Sequence, residues 1–237
     1  MVISNFKNMK KLIIANWKCN PRTLKEAEGL FNKIRKGIKN IKKAEVVIAS
    51  PFIWLSILKG MILAAQDCLW LDCGPYTGEI SLAMLNDVGV KYVIIGHSER
   101  RIHFQETDEM INKKLKAVLK TGLKPILCIG EKKGEKSEKI ISSQLKKDLK
   151  GIPKKDLKKI VIAYEPVWAI GTGDFCPKNK AKKALDFIKN KINTRILYGG
   201  SVNSKISKSY IDAGFDGLLV GGASLNAEEF IKIVKNA

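Results

Sequence analysis

Ile160-Val161-Ile162-Ala163-Tyr164-Glu165-Pro166-Val167-Trp168-Ala169-Ile170-Gly171-Thr172-Gly173 is the stretch on which the reading of this chain turns. Its first five residues are apolar without interruption. That is the habit of a parallel strand covered on both faces, where no position is spared for solvent. A lone carboxylate, Glu165, follows at once. Desolvating a carboxylate is costly, and burial raises the proton affinity of such a group toward that of a useful base. The loop after it is stiff at Pro166, flexible at Gly171 and Gly173 and apolar between, the make-up of a lid that closes and excludes water. An ordinary buried strand with an ordinary loop fits the same letters, so the rest of the chain has to discriminate.

Runs of the same kind recur at residues 12–15, 46–49, 62–65, 92–95, 125–129, 160–164, 195–198 and 217–220. Helical patterns lie between them, clearest at 23–39, 107–119, 137–149, 179–191, 204–212 and 227–234. The second unit is the weakest, with only residues 51–59 left for its helix. Gly89, Gly122 and Gly214 stand where helix-ending glycines belong. Eight strand–helix units without a long linker imply a single (β/α)8 barrel over residues 11–237, with residues 1–10 an N-terminal extension. A doubly wound open sheet is the alternative, but no G-x-G-x-x-G follows the first run.

At 237 residues the chain fits one domain of this class. No apolar run approaches the roughly 20 residues of a membrane helix, and the polar, basic start has no apolar core of a secretory signal. The five cysteines are odd in number and scattered, and neither a second pair nor a nearby histidine makes Cys68 and Cys73 a metal site. Reduced thiols, a cytoplasmic location and no metal are therefore expected. The net charge of +20 suits a nucleic acid, a membrane surface or the steering of an anionic substrate. Yet the lysines fall mostly where helix exteriors belong, as at Lys113, Lys114, Lys116 and Lys120, and no basic run alternates with aromatics. Solvated helix faces are expected, with no specific nucleic-acid partner and no membrane partner.

Barrel active sites collect at the C-terminal ends of the strands. Here the first run leads into Asn16 and Lys18, the fourth into His97 and Glu99, and the sixth into Glu165. The seventh ends in Gly199-Gly200-Ser201 and the eighth in Gly221-Gly222. Two glycine pairs there fit a phosphate cradle, because glycine lets backbone N–H groups approach an anion closely; a tight turn explains either pair alone. Gly96-His97-Ser98-Glu99-Arg100-Arg101 reads as a short helix start, where a histidine is expected to be a neutral hydrogen-bond donor. Lys18, two past Asn16, faces the same side if the strand stays extended; a surface lysine fits as well. A carboxylate base, a neutral donor, a cation, a phosphate cradle and a lid together point to proton abstraction next to the carbonyl of a small phosphorylated sugar. No cofactor motif accompanies them.

Further short motifs occur in order: Asn16-Trp17-Lys18, Ala65-Gln66-Asp67, Tyr76-Thr77-Gly78-Glu79, Cys128-Ile129-Gly130-Glu131, Tyr198-Gly199-Gly200-Ser201 and Gly221-Gly222-Ala223-Ser224-Leu225. With the segments around His97 and Glu165, they make the chain resemble the triosephosphate isomerases from Lys11 to its C-terminus. The resemblance implies that Glu165 moves the carbon-bound proton while His97 polarises the carbonyl. Lys18 and Asn16 would stabilise and position the developing oxyanion, with Glu99 behind Lys18. Backbone groups at Gly171, Ser201, Gly221 and Gly222 would hold the phosphate of a triose. Pro166 and Trp168 belong to the lid, Tyr198 and Ser201 to its latch, and Glu131 partners Trp168. The resemblance also implies no cofactor, and a homodimer in which the loop over residues 66–78 reaches into the partner with Thr77. Asp174-Phe175-Cys176 departs from the usual second hinge, Pro75 and Gln105 replace common small residues, and the segment between Gly173 and Tyr198 is trimmed.

Overall fold

Each apolar run divides its side chains between two cores. In the computed structural model, which describes residues 9–171 and 174–237, eight parallel strands close into one barrel in sequence order. They are β1 (Lys11–Asn16), β2 (Ala44–Ala49), β3 (Ile62–Ala65), β4 (Tyr92–Ile95), β5 (Lys124–Ile129), β6 (Val161–Tyr164), β7 (Ile196–Tyr198) and β8 (Gly217–Val220). The pairing of Leu12 with Gly217 and of Ala15 with Val220 joins β8 back to β1, which excludes the open doubly wound sheet. One set of strand residues, including Leu12, Ile14, Val47, Ile94, Val161 and Leu219, fills the barrel. The alternate set, such as Ile13, Ile48, Val93, Ile162 and Leu218, packs against the surrounding helices. Apolar demand from both sides is why the runs show no period of two.

The helices are α1 (Leu24–Ile38), α2 (Phe52–Leu55), α3 (Leu82–Asp87), α4 (Ser98–His103), α5 (Asp108–Leu119), α6 (Ser137–Asp148), α7 (Lys154–Leu157), α8 (Lys178–Lys191), α9 (Ser207–Asp212) and α10 (Ala227–Lys235). Thr23 and Glu26 close a reciprocal capping box at α1, a device that stabilises a helix start by about 1 kcal/mol. The second unit is even shorter than its sequence suggests: α2 is a single turn of four residues. Helix α9 begins at Ser207 and not at 204, because Asn203 Oδ1 accepts from the amides of Lys205 and Ile206 and holds that turn out of the helix. Gly89 and Gly214 take the left-handed conformation expected of them, whereas Gly122 does not; α5 already ends at the Lys120 cap.

The extension expected over residues 1–10 lies outside the described residues except for Met9 and Lys10, as do Thr172 and Gly173 of the expected lid. No helix among the described residues is long and apolar enough to cross a membrane. The five cysteines are free thiols. One lysine departs from its expected place on a helix exterior. Lys114 is buried, 2.6 Å from Asp67 and also bonded to Glu106, since only carboxylates make an interior ammonium tolerable.

Candidate active site

The pleat delivers two of the site's side chains. Along β1 the barrel-facing positions continue from Leu12 and Ile14 to Asn16, and along β6 from Val161 and Ala163 to Glu165. Amide and carboxylate therefore meet over the barrel mouth. At the end of β4, Gly96 adopts φ 70°, and this left-handed turn brings in His97, which caps α4. Asn16, Lys18, His97, Glu165, Gly171, Ser201, Gly221 and Gly222 all line one cleft of about 640 Å³.

Glu165 is 1 % exposed and His97 7 % exposed, so the pair works out of bulk water. The Ser98 amide donates to Glu165 Oε2 at 3.1 Å. The other carboxylate oxygen, Oε1, lies 3.3 Å from His97 Nε2. His97 Nδ1 accepts from the Glu99 amide at 3.2 Å. An accepting Nδ1 carries no proton, which leaves the Nε2–H of a neutral ring pointing into the cleft. The helix start thus selects the tautomer.

Lys18 reaches the site by a route that differs from the expected extended strand. Strand β1 stops at Asn16, and Lys18 takes φ 53°, a left-handed conformation unusual for a residue with a Cβ. Two contacts hold it there. Asn16 Oδ1 accepts from the Lys18 amide at 3.0 Å, and Gln66 Nε2 donates to the carbonyls of both Lys18 and Ala49 at 2.9 Å. The Lys18 ammonium then pairs with Glu99. Gln66 was legible only as part of a motif, and nothing in the sequence assigned it a task.

The lid's first half is anchored on two sides. Val167–Ala169 form a single 3₁₀ turn after Pro166. Trp168 Nε1 donates to Glu131 Oε1 at 3.1 Å, and the Tyr164 and Ser137 hydroxyls also reach this buried carboxylate. Burial, reinforced by Glu131, pushes the Tyr164 hydroxyl well above its ordinary pKa, so it remains a donor. Ser201 meets the lid through two bonds, its amide donating to Ala169 O at 2.9 Å and its Oγ accepting from the Gly171 amide at 3.2 Å. At the far hinge a residue the sequence did not single out intervenes. Tyr210 stacks on Tyr198 with centroids 3.8 Å apart, and the Tyr210 hydroxyl donates to Cys176 O at 2.7 Å.

Thr77 lies on an exposed loop and does not line the cleft of its own chain. Behind Glu165 and His97, Arg101 donates to Gly96 O at 2.9 Å and pairs with Asp108 and Asp148 at 2.6 and 2.8 Å. That pairing secures the turn that carries His97.

Known proteins resemble this chain over nearly its whole length. The family model described as triosephosphate isomerase matches residues 11–237. The triosephosphate isomerase of Aquifex aeolicus is 46% identical over 246 residues, covering 95% of this chain and 99% of the relative. That of a Thermoanaerobacter species is 45% identical over 248 residues with the same coverage. The Trichodesmium erythraeum protein is 46% identical over 241 residues, again covering 95% and 99%.

Proposed function

Because the chain belongs to the triosephosphate isomerase family and interconverts D-glyceraldehyde 3-phosphate and dihydroxyacetone phosphate, we propose that Glu165 is the base of that reaction. Its carboxylate takes a proton from the carbon beside the carbonyl, leaving an enediolate, and returns the proton to the neighbouring carbon. His97 donates from Nε2 to the carbonyl oxygen and shuttles protons between the two enediolate oxygens. Lys18 and Asn16 stabilise and position the developing oxyanion, and Glu99 fixes the ammonium. The amides of Gly221 and Gly222, at the start of the short turn Gly222–Leu225, cradle the phosphate, and those of Gly171 and Ser201 join them on exchanging their bonds to Ser201 Oγ and Ala169 O for the anion. Pro166, Trp168, Glu131, Ser201 and Tyr198 serve closure, which keeps water from the enediolate.

The observation that carries this reading is the 3.3 Å approach of Glu165 Oε1 to a His97 Nε2 whose tautomer the Glu99 amide selects. The reaction is a step of glycolysis, and the free thiols suit work in the cytoplasm. The test is a coupled assay of the purified chain in both directions, run beside Glu165→Asp in D₂O. Wild type is expected to wash deuterium into the carbon-bound position. A variant that loses substrate binding and turnover equally would remove Glu165 from the role of base.

Assembly as a homodimer is part of the proposal. Leu71 and Tyr76 stand 37% and 42% exposed on the loop that carries Thr77, and Phe104 is 64% exposed beside a second cleft that includes Lys18, Gln66 and Glu99. A partner's loop seated there would bring Thr77 next to the Lys18–Glu99 pair. Sedimentation equilibrium is expected to give twice the 26.4 kDa chain mass; a fully active monomer would refute the dimer.

A further inference from the structure

The charge of +20 is polarised along the barrel axis. Helices return antiparallel to the strands, so their first turns lie at the catalytic rim and their last turns at the opposite base. First turns carry Glu26 in α1, Asp108 and Glu109 in α5, and Glu228 and Glu229 in α10. The last turns of the same helices carry Arg35 and Lys36, Lys116, and Lys232 and Lys235. This arrangement suits the helix dipoles. The strand starts extend it where no dipole is at stake.

Lys10 and Lys11 open β1, Lys42 and Lys43 precede β2, and Lys91 precedes β4. Lys124 opens β5, Lys158 and Lys159 precede β6, and beneath them Arg195, before β7, is buried and donates to Lys10 O. Barrel closure gathers these cations, scattered over most of the sequence, onto one face. The Lys11 amide donates to Lys43 O at 3.2 Å and the Lys124 amide to Lys91 O at 2.9 Å, so neighbours in the ring touch through their backbones. Three carboxylates stand among them. Glu45 accepts from the Tyr92 hydroxyl and Asp216 from the Ile196 amide, while Asp156 pairs with Lys159 at 2.7 Å. Among the described residues, no other cation of the ring has a carboxylate within ion-pair distance.

Apolar surface accompanies the ring. Met9 and Ile62, at 47% and 36% exposure, stand at its β1 and β3 edges. A depression of about 1020 Å³ opens among Lys124, Lys158 and Lys159; Leu119 borders it, and buried Leu123, Ile160 and Tyr92 form its floor, the Tyr92 ring covered by the Lys124 ammonium. The large exposed aromatics among the described residues, Tyr76, Phe104 and Phe175, all lie on the catalytic side. A base with cations and aliphatic side chains but no stacking platform matches lipid headgroups better than single-stranded nucleic acid.

We propose that the base of the barrel docks this protein on an anionic phospholipid surface, leaving the catalytic mouth open to solvent. This adds a peripheral membrane partner where the sequence alone suggested only solvated lysines. The test is co-sedimentation of the active enzyme with phosphatidylcholine vesicles, with and without phosphatidylglycerol. Binding is expected only with phosphatidylglycerol, weakening as salt rises. Reversing Lys42, Lys43, Lys158 and Lys159 to Glu should weaken it by about tenfold or more. Reversing Lys25, Lys133, Lys136 and Lys139, exposed on the rim side, changes the net charge equally and should cost less than about threefold. Isomerase activity checks that both variants are folded, and if the basal set does not fold, Lys42→Gln with Lys43→Gln repeats the comparison. Equal losses from the two sets would reduce the effect to net charge and overturn the proposal. So would no vesicle binding, or binding of duplex or single-stranded RNA through the basal lysines in its place.

Discussion

The two ends of the barrel are built from the same strands yet obey different rules. At the C-terminal rim, polar side chains are buried or half-buried and individually placed: Glu165 by the Ser98 amide, His97 by the Glu99 amide, Lys18 by Asn16 and Gln66. At the N-terminal base, cations are mostly exposed and few have a carboxylate partner. Directional chemistry needs desolvated groups held to tenths of an ångström. Long-range attraction needs only sign and number, and tolerates mobile side chains in water. One protein can carry both because the apolar interior between them isolates the two tasks.

The comparison breaks most sharply at Glu165. Glu165→Asp retracts the carboxylate by one methylene, and kcat is expected to fall about 10²-fold or more with KM little changed. Steady-state kinetics decide the matter. A matched pair of glycines tests the ends against each other. A Cβ at Gly130 would collide with the backbone carbonyl of Glu165, and one at Gly217 with that of Leu12. Gly130→Ala and Gly217→Ala should each lose about 1–3 kcal/mol in denaturant melts. Only Gly130→Ala should also lower kcat, by about tenfold, since it moves Glu165; an equal kinetic loss from Gly217→Ala would show that the ends are coupled.

Gln66→Leu should act next in size, leaving the Lys18 carbonyl unpaired and Ala49 O with only the Trp17 amide, at about 1–3 kcal/mol of stability, and reducing kcat/KM severalfold. Unaltered kinetics in a destabilised protein would make Gln66 purely structural. Asp148 gives a pH test behind the rim. Burial pushes its carboxyl up to about 7, against the pull of Arg101. Between the unfolded value and about 7 the native state holds a proton that the unfolded chain releases, so this contribution favours folding at lower pH and is lost as pH rises through 7. Asp148→Asn should flatten the change in Tm between pH 5 and pH 8. The smallest effect is expected at the base, where Lys42→Glu should leave kcat/KM within about twofold of wild type. A larger change would mean that the basal field steers substrate.

Much of this was legible early, and the exceptions have causes. All eight strands were visible because burial on both faces writes a continuous apolar run. Helix α2 is a single turn where about two were available, ending at the Ser56 cap. Lys114 resembled any other helix lysine, and only its carboxylate partners, Asp67 from another unit and Glu106, identify it as interior. Gln66 and Tyr210 escaped because their tasks are contacts with Lys18 and Cys176, distant in sequence.

From the order of its residues alone, the chain determined its strands, its candidate site residues and its family resemblance, because side-chain period and motif spacing are local properties. Tertiary structure decided the rest. It chose the approach of His97 Nε2 to Glu165, the hold of Gln66 on the left-handed turn of Lys18 and the gathering of basal cations into a ring. Each depends on closing a barrel that brings residues from separate units within a few ångströms, and no local rule contains that distance.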